Sequence, residues 1–146
     1  KNWPIIGHWA SCVGTIFIER RRKSDILRVS AAIKNRLEKG GNIFVFPEGT
    51  TSSGKEVLPF NASLLQIAVD LKLAIKPVSL KYTLKDGSLA EHAAYIDNDN
   101  ILNTMFRVLC SRKITAELNF LHSVKADGCD RRLLASELRS AIRHSL

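Results

Sequence analysis

The amino-acid sequence predicts an α/β fold in which helices flank a largely parallel central sheet. Strand-like and helix-like segments alternate along the chain, which is typical of layered α/β proteins. Residues 43–46 form a fully apolar run between turn signals, as expected of a central strand that is buried on both faces. Residues 114–121 alternate apolar and polar side chains, and this period of two predicts a strand. Its inward positions are predicted to be Ile114, Ala116, Leu118 and Phe120.

The other elements follow from local signals. A β-branched and aromatic run predicts a strand over residues 13–18, and a helix is predicted over 25–39 between a Ser24 cap and Gly40. Further along, the pattern predicts a helix that starts at Asn61 or Ser63 and runs to about residue 72, a strand over 74–82 and a helix over 101–110. Asp130 caps a last predicted helix that runs to residue 144. Pro77 lies near the start of its strand, where a missing N–H is tolerated.

The 146 residues predict one domain over 1–146. Because the chain begins with Lys1 and not with Met, we expect it to be the C-terminal portion of a longer chain. Its apolar stretches are far shorter than the roughly 20 residues that span a bilayer. Three cysteines stand far apart, an odd number that indicates reduced thiols and a cytoplasmic location. No Cys or His cluster has zinc spacing, so we expect no metal site.

The chain carries 22 Lys and Arg against 14 Asp and Glu, a formal net charge of +8. This excess favours a polyanionic partner, which is a nucleic acid, an anionic membrane surface or a phosphorylated substrate. The basic residues are not interleaved with aromatic ones and no nucleic-acid motif is present, so we expect no nucleic-acid partner. A non-catalytic module that binds phosphate or nucleic acid is nevertheless the alternative to an enzyme at this point.

Two polar loops follow predicted strands, and ligands of such sheets gather beyond the carboxyl ends of the strands. The loop over residues 47–55 combines two glycines with four hydroxyl residues, which suits anion binding. It matches the first part of a nucleotide-binding P-loop, but Glu56 stands where Ser or Thr should meet magnesium. The other loop places Arg20 directly after a strand, where a guanidinium is suited to a bidentate phosphate contact. Arg21, Arg22 and Lys23 are interpreted as a solvated charge run.

Three motifs in order resemble those of the 1-acylglycerol-3-phosphate acyltransferase (lysophospholipid acyltransferase) family. They are Gly-Thr-Ile-Phe-Ile-Glu-Arg at residues 14–20, Phe-Pro-Glu-Gly-Thr at 46–50 and Ile-Lys-Pro-Val at 75–78. Trp-Pro-Ile-Ile-Gly at residues 3–7 and Leu-Pro-Phe at 58–60 support the match, which covers nearly the whole chain. The resemblance implies a glycerol-3-phosphate acyltransferase-like fold that is truncated at its N-terminus.

The resemblance also implies a function. Members of this family transfer a fatty acyl group from coenzyme A or acyl carrier protein to the hydroxyl of a lysolipid, at the cytoplasmic face of a membrane and with no cofactor beyond the acyl donor. A histidine in a His-x-x-x-x-Asp motif acts as the general base. By the match, Arg20 binds the acceptor phosphate and Pro77 lies on the acyl-donor side. The residues assigned to acceptor binding are Gly14, Glu19, Arg20, Pro47, Glu48, Gly49, Thr50 and Thr51.

This chain departs from the family pattern at two points. Thr51 stands where the third motif usually has an arginine, so the acceptor is open between lysophosphatidic acid and related lysolipids such as lyso-ornithine lipid. The His-x-x-x-x-Asp motif is expected upstream of Trp3. His92 with Asp97 and His122 with Asp127 share its spacing, but both lie downstream of the other motifs. We therefore expect no catalytic base in this segment, and the segment alone to be inactive.

Overall fold

The computed structural model describes residue 8 and residues 11–16, 23–96, 99–111 and 113–146, with side chains described from residue 27 onward in the first long helix. The chain divides into two compact units, Lys1–Phe44 and Val45–Leu146. Each unit is described by itself. The assignment of residues 1–146 to a single domain stays a prediction.

The first unit contains helix α1, Lys23–Glu38, close to the predicted range. Its end is a glycine cap in which the Gly40 N–H donates to the Leu37 carbonyl and the Gly41 N–H to the Arg36 carbonyl, both at 2.9 Å. Gly40 has φ +73°, which favours glycine, and a Cβ on Gly41 would lie 2.9 Å from the Arg36 carbonyl oxygen. The predicted end of this helix at Gly40 is thus confirmed, and the glycine cap is its cause.

Over its described residues, the second unit contains three α-helices, one 3₁₀ turn and four short strands. In chain order they are α2 Ala62–Asp70, β1 Ala74–Ile75, β2 Val78–Thr83, a 3₁₀ turn Glu91–Ala93, α3 Ile101–Cys110, β3 Thr115–Phe120, β4 Val124–Lys125 and α4 Arg131–His144. Strand β1 pairs with β4, and β2 pairs with β3 in a register that places Val78 opposite Phe120 and Thr83 opposite Thr115. Both pairs are antiparallel.

The core of the second unit lies between α2 and α4. Helix α4 begins at its predicted cap, because the Asp130 side chain accepts from the Arg132 and Leu133 N–H groups. Helix α2 is capped by Asn61, one of its two predicted starts, whose side chain accepts from the Ser63 N–H. The buried core cluster contains Leu65, Ala126, Leu134, Ala135 and Leu138. Burial of these apolar side chains is the main stabilising contribution in the unit. The core therefore supports α4 and the segment that leads into α2, which together frame the loop described below.

The expectation of a largely parallel central sheet is not supported by the described residues, since both described sheets are antiparallel pairs. Residues 43–46 are not a strand, and Phe44 and Phe46 are 78% and 75% exposed. A buried central strand needs a neighbour on each edge, and among the described residues none pairs with this segment. Of the predicted strand over 13–18, Val13 and Gly14 form a turn, and residues 17 and 18 lie outside the described residues.

The predicted strand over 114–121 is present as β3, but its predicted inward side is wrong, because every residue of β3 is exposed. Alternation shows which side chains share a face and does not show which face is covered. On the partner strand β2 the covered face is the polar one, where Ser79 and Thr83 are buried. The Thr83 hydroxyl satisfies its hydrogen bond by donating to Glu117 Oε1 at 2.9 Å.

Candidate functional site

The loop between residues 46 and 61 is closed by one carboxylate. Glu48 Oε2 accepts a hydrogen bond from the Leu58 N–H at 3.0 Å, across ten residues. The Asn61 N–H donates to the Pro47 carbonyl at 2.7 Å, which attaches the start of the loop to the N-terminus of α2. These two bonds hold both ends of the loop together, so Glu48 shapes the loop from within. We call residues 47–58 the Glu48 loop.

Inside the Glu48 loop, Gly49 has φ +70° and its N–H donates to the Phe46 carbonyl at 3.2 Å. That turn favours glycine because a Cβ is strained at positive φ. Thr50 and Thr51 follow and are exposed. The loop therefore presents two hydroxyl groups to solvent from a backbone that is fixed on either side. The hydroxyl groups of Thr50 and Thr51 can hydrogen-bond a polar headgroup, and neither of them carries a charge.

The P-loop interpretation of this segment is wrong. In a P-loop the helix starts immediately after the lysine, whereas here α2 starts at Ala62 and residues 57–61 are irregular. Lys55 Nζ instead pairs with Glu91 at 3.0 Å.

Arg139 on α4 holds the C-terminal end of the loop. Its Nε and Nη2 donate to the Val57 carbonyl at 3.0 and 2.8 Å, and the Val57 side chain is buried. Sequence reasoning missed this arginine, because it lies 82 residues from Val57 and carries no motif. Only its position on one face of a predicted helix was available as a signal.

Pro77 is buried immediately before β2. Its carbonyl accepts from the Leu121 N–H at 3.0 Å, which extends the β2–β3 pairing by one residue. Proline has no N–H to lose at this position, in agreement with the expected tolerance at the start of a strand. The structure places Pro77 in the same unit as the Glu48 loop.

The predicted acceptor residues are brought together in part. Pro47, Glu48, Gly49, Thr50 and Thr51 are contiguous in one loop. Gly14 belongs to the first unit, where it has φ +78° and its N–H donates to the Ser11 carbonyl at 3.0 Å. Glu19 and Arg20 lie outside the described residues, so the convergence of Arg20 with the Glu48 loop stays a prediction.

Neither downstream histidine forms a described dyad. His92 Nε2 lies 2.6 Å from the Ser111 hydroxyl, and Asp97 is outside the described residues. His122 is exposed just after β3, while Asp127 pairs with Lys72 at 3.2 Å. Within the part of the chain that the structure describes, no group of three His, Cys, Asp or Glu side chains could hold a metal ion. Over the same residues, every helix is too short or too polar to cross a membrane.

Comparison with known proteins assigns the class. The acyltransferase family model matches residues 1–81, more than half of the chain, and the chain belongs to that family. It is 31% identical over 146 residues to the lyso-ornithine lipid O-acyltransferase of Pseudomonas aeruginosa, covering 100% of the chain and 56% of that relative. It is 32% identical over 144 residues to the 1-acyl-sn-glycerol-3-phosphate acyltransferase of Neisseria gonorrhoeae, covering 98% and 56%.

A second lyso-ornithine lipid O-acyltransferase, from Brucella abortus, is 35% identical over 94 residues, or 60% of the chain and 35% of that relative. The chain spans about half the length of the first two relatives. No solved structure matches significantly. The resemblance to lysophospholipid acyltransferases that the motifs indicated is thus confirmed at the level of the family.

Proposed function

We propose that the protein transfers a fatty acyl group from a thioester donor, acyl-CoA or acyl carrier protein, to the free hydroxyl of a lysolipid. The observation that carries this proposal is the Glu48 loop, a family motif held in a single shape by the Glu48 to Leu58 bond. Relatives named for two acceptors, lyso-ornithine lipid and 1-acylglycerol-3-phosphate, match over essentially all of the chain.

In the proposed reaction the lysolipid hydroxyl attacks the thioester carbonyl, an ester bond forms and the carbon–sulfur bond breaks. The hydroxyl proton passes to a histidine base and then to the leaving thiolate. That base belongs to a His-x-x-x-x-Asp motif upstream of Trp3, so the segment alone is inactive. Arg20 and Gly14 serve the acceptor together with the Glu48 loop, and Pro77 lies on the donor side.

Thr51 bears on the choice of acceptor. A threonine hydroxyl forms a neutral hydrogen bond, whereas an arginine at this position would form a stronger bidentate pair with phosphate. The exposed Thr51 side chain therefore favours an acceptor whose headgroup is not a bare phosphate. Lyso-ornithine lipid fits this condition, and it is the acceptor for which the Pseudomonas and Brucella relatives are named.

The proposed membrane contact rests on helix α3, whose apolar side faces outward. Leu102, Phe106 and Leu109 are 67%, 68% and 79% exposed, and with Met105 they follow the i, i+3, i+4, i+7 spacing of one helix face. The covered side is polar, because Thr104 is buried and Arg107 Nη2 donates to Asp99 Oδ2 at 2.6 Å. An exposed apolar stripe of this kind suits the boundary between lipid headgroups and acyl chains.

The charge near the apolar face of α3 favours contact with an anionic bilayer. The sequence has no acidic residue between Asp99 and Glu117, and the basic residues Arg112 and Lys113 follow the end of α3 within that interval. Basic residues beside an apolar stripe are attracted to anionic lipids. Lysolipids and acyl donors partition into bilayers, so a surface-bound enzyme meets both there. The cytoplasmic face remains the side that the cysteine content favours.

The direct test is an acyl-transfer assay on the full-length protein with a panel of lysolipids. We expect thiol release from acyl-CoA or acyl carrier protein only when a lysolipid is present, with lyso-ornithine lipid preferred over lysophosphatidic acid. Residues 1–146 alone should release none. Turnover by the isolated segment would contradict the assignment of the base to an upstream motif. Hydrolysis of the donor without formation of an acylated lipid would contradict the proposed acyl transfer.

The role of Arg20 has its own test in the full-length protein. Loss of a guanidinium contact with the anionic group of the acceptor, which is a carboxylate in lyso-ornithine lipid and a phosphate in lysophosphatidic acid, costs roughly 1.5–3 kcal/mol. Arg20→Ala should therefore raise the acceptor KM at least tenfold and leave the donor KM unchanged. Arg22→Ala is the matched control, because the sequence pattern predicts a solvated charge run at Arg22, and it should behave as wild type. Equal effects of the two substitutions would remove Arg20 from the acceptor site.

A further inference from the structure

One peptide group of the Glu48 loop is held at both of its ends by charged side chains. It is the group that joins Val57 to Leu58. Arg139 Nε and Nη2 donate to its carbonyl oxygen at 3.0 and 2.8 Å, and its N–H donates to Glu48 Oε2 at 3.0 Å. Because a peptide group is planar and rigid, its carbonyl and its N–H move together. Arg139 and Glu48 therefore hold the same rigid body from opposite sides.

The two contacts strengthen each other. A guanidinium at the carbonyl oxygen polarises the peptide group, and its N–H becomes a better donor to the carboxylate on the other side. Both contacts involve an ionisable side chain, and charge-assisted hydrogen bonds are stronger than bonds between neutral groups. The bond from Leu58 to Glu48, which closes the loop, thus depends on Arg139.

The direction of the Arg139 side chain is set by the packing of α4. Its neighbour Leu138 is buried in the core of the unit, and Arg131 on the same helix donates to Gln66 Oε1 on α2 at 3.0 Å. Arg139 itself is half-buried. Among the residues that the structure describes, no carboxylate forms an ion pair with it. Its guanidinium is therefore directed at the Val57 carbonyl by a helix whose position the core fixes.

The chain that follows this peptide group is stiff. Pro59 has a fixed φ and restricts Leu58 to extended conformations. The Asn61 N–H then donates to the Pro47 carbonyl at 2.7 Å, directly beside Glu48. A rotation of the peptide group cannot be absorbed within so short and restricted a segment. It would instead break the bond to Glu48 or displace the Glu48 side chain.

We propose that Arg139 is a positioning residue for the acceptor site and acts on the Glu48 loop through the peptide group between Val57 and Leu58. The inference rests on the proposed acyl transfer for the identity of the acceptor. Without the guanidinium the loop keeps its sequence but is held from one side only, so the exposed hydroxyl groups of Thr50 and Thr51 are no longer fixed in place. Binding of the lysolipid headgroup weakens, and binding of the acyl donor does not.

The first test is steady-state kinetics on the full-length protein. Arg139→Met keeps an apolar stem and removes the guanidinium, so the acceptor KM should rise about tenfold, with kcat and the donor KM unchanged. Arg139→Lys keeps a cation that can donate one bond to the carbonyl, and the rise should be only about threefold. This variant carries the test if Arg139→Met does not fold.

Arg143→Met is the matched control. Arg143 lies one turn further along α4 and lines the same cavity as Arg139, so the substitution removes the same charge from the same surroundings. Its acceptor KM should be that of wild type. Equal losses in Arg139→Met and Arg143→Met would overturn the inference, as would a lower melting temperature of Arg139→Met with an unchanged acceptor KM.

A double-mutant cycle shows whether Arg139 acts through Glu48. Arg139→Met combined with Glu48→Ala should raise the acceptor KM no further than Glu48→Ala alone, because both substitutions release the same peptide group. Independent roles would multiply the two effects to roughly a hundredfold. That outcome would also overturn the inference.

Two measurements need no turnover and separate this inference from the proposed reaction. In residue-resolved hydrogen exchange, the Leu58 N–H should exchange about tenfold faster in Arg139→Met than in wild type or Arg143→Met. Detergent-dispersed lyso-ornithine lipid should bind Arg139→Met about tenfold more weakly. Both changes in a protein that transfers no acyl group would remove the reaction and leave the role of Arg139 standing. Acyl transfer with unchanged Leu58 exchange would do the reverse.

Discussion

Glu48 is a motif residue whose side chain fixes the shape of the loop that contains it. Its carboxylate accepts the Leu58 N–H from ten residues away and is half-buried beneath the loop that carries Thr50 and Thr51. An orphaned backbone N–H at this depth would cost about 1–3 kcal/mol. The glutamate therefore holds the loop closed and leaves the hydroxyl groups of Thr50 and Thr51 exposed, where the proposed acceptor would bind.

This predicts a graded response to substitution in the full-length enzyme. Glu48→Gln keeps an amide oxygen that can accept the Leu58 N–H, so activity should fall only a few-fold. Glu48→Ala removes the acceptor, and the acceptor KM should rise about tenfold or more. Steady-state kinetics on both variants, with thermal melting to check folding, measure the difference. If Gln impairs the enzyme as much as Ala, the negative charge matters and the loop-closure account is wrong.

Of the candidate site, the sequence predicted the loop, because its residues are contiguous in the chain. Residues 47–51 form a motif in the chain and a loop in the structure. Arg139 was not predictable, since its contact with Val57 depends on how α4 packs, and no local pattern encodes that packing.

Among the elements, the helices were predicted well and the sheet was not. The caps Asn61 and Asp130 and the glycine stop at Gly40 are local signals, and each performs the expected hydrogen bond. Strand pairing is not local: the pattern over 114–121 predicted β3, while its direction and its covered face depend on β2. The apolar run at residues 43–46 shows the same limit, because its composition suits a central strand and no described neighbour pairs with it.

Helix α4 gives a pH prediction. Hydrogen bonds from the Leu133 and Arg132 N–H groups lower the pKa of Asp130 below its usual value. Because the folded pKa lies below the unfolded one, about 3.9, the stabilisation from the charged cap is fully present above that pH. It is lost as the pH falls through the folded pKa. Asp130→Asn should thus lower the melting temperature at neutral pH, and the deficit should shrink at acidic pH.

Melting temperatures of wild type and Asp130→Asn, measured from neutral to acidic pH, show whether the deficit shrinks. Glu137→Gln removes a carboxylate from an exposed position within the same helix and provides the control. A deficit of constant size at every pH would show that the charge of Asp130 contributes nothing at the cap.

At the scale of the whole molecule, a net charge of +8 and the outward apolar face of α3 should act together on a bilayer. We expect the full-length protein to bind phosphatidylglycerol vesicles more tightly than phosphatidylcholine vesicles, with the difference reduced by salt. The double substitution Phe106→Ser with Leu109→Ser should weaken binding about tenfold or more, because it removes two large apolar side chains from the contact. Vesicle flotation at low and high salt measures both effects.

The control is Leu133→Ser, which removes an equally exposed apolar side chain from α4. Activity on lysolipid in vesicles should fall in the α3 variant, whereas activity on detergent-dispersed lysolipid should be retained. Equal losses with both substrates, or a matching defect in Leu133→Ser, would contradict a specific bilayer contact of α3.

Helix α3 has its apolar side exposed and its polar side covered, and this arrangement affects which of its residues can change during evolution. Its attachment depends on Arg107, Asp99 and Thr104, which lie on the opposite side from Leu102, Phe106 and Leu109. Under the proposed bilayer contact, substitutions in the outer stripe change the affinity for bilayers of different composition and leave the anchoring contacts intact. The contacts that hold α3 in place and the proposed contact with the bilayer are therefore made by different residues of the same short segment, residues 99–109.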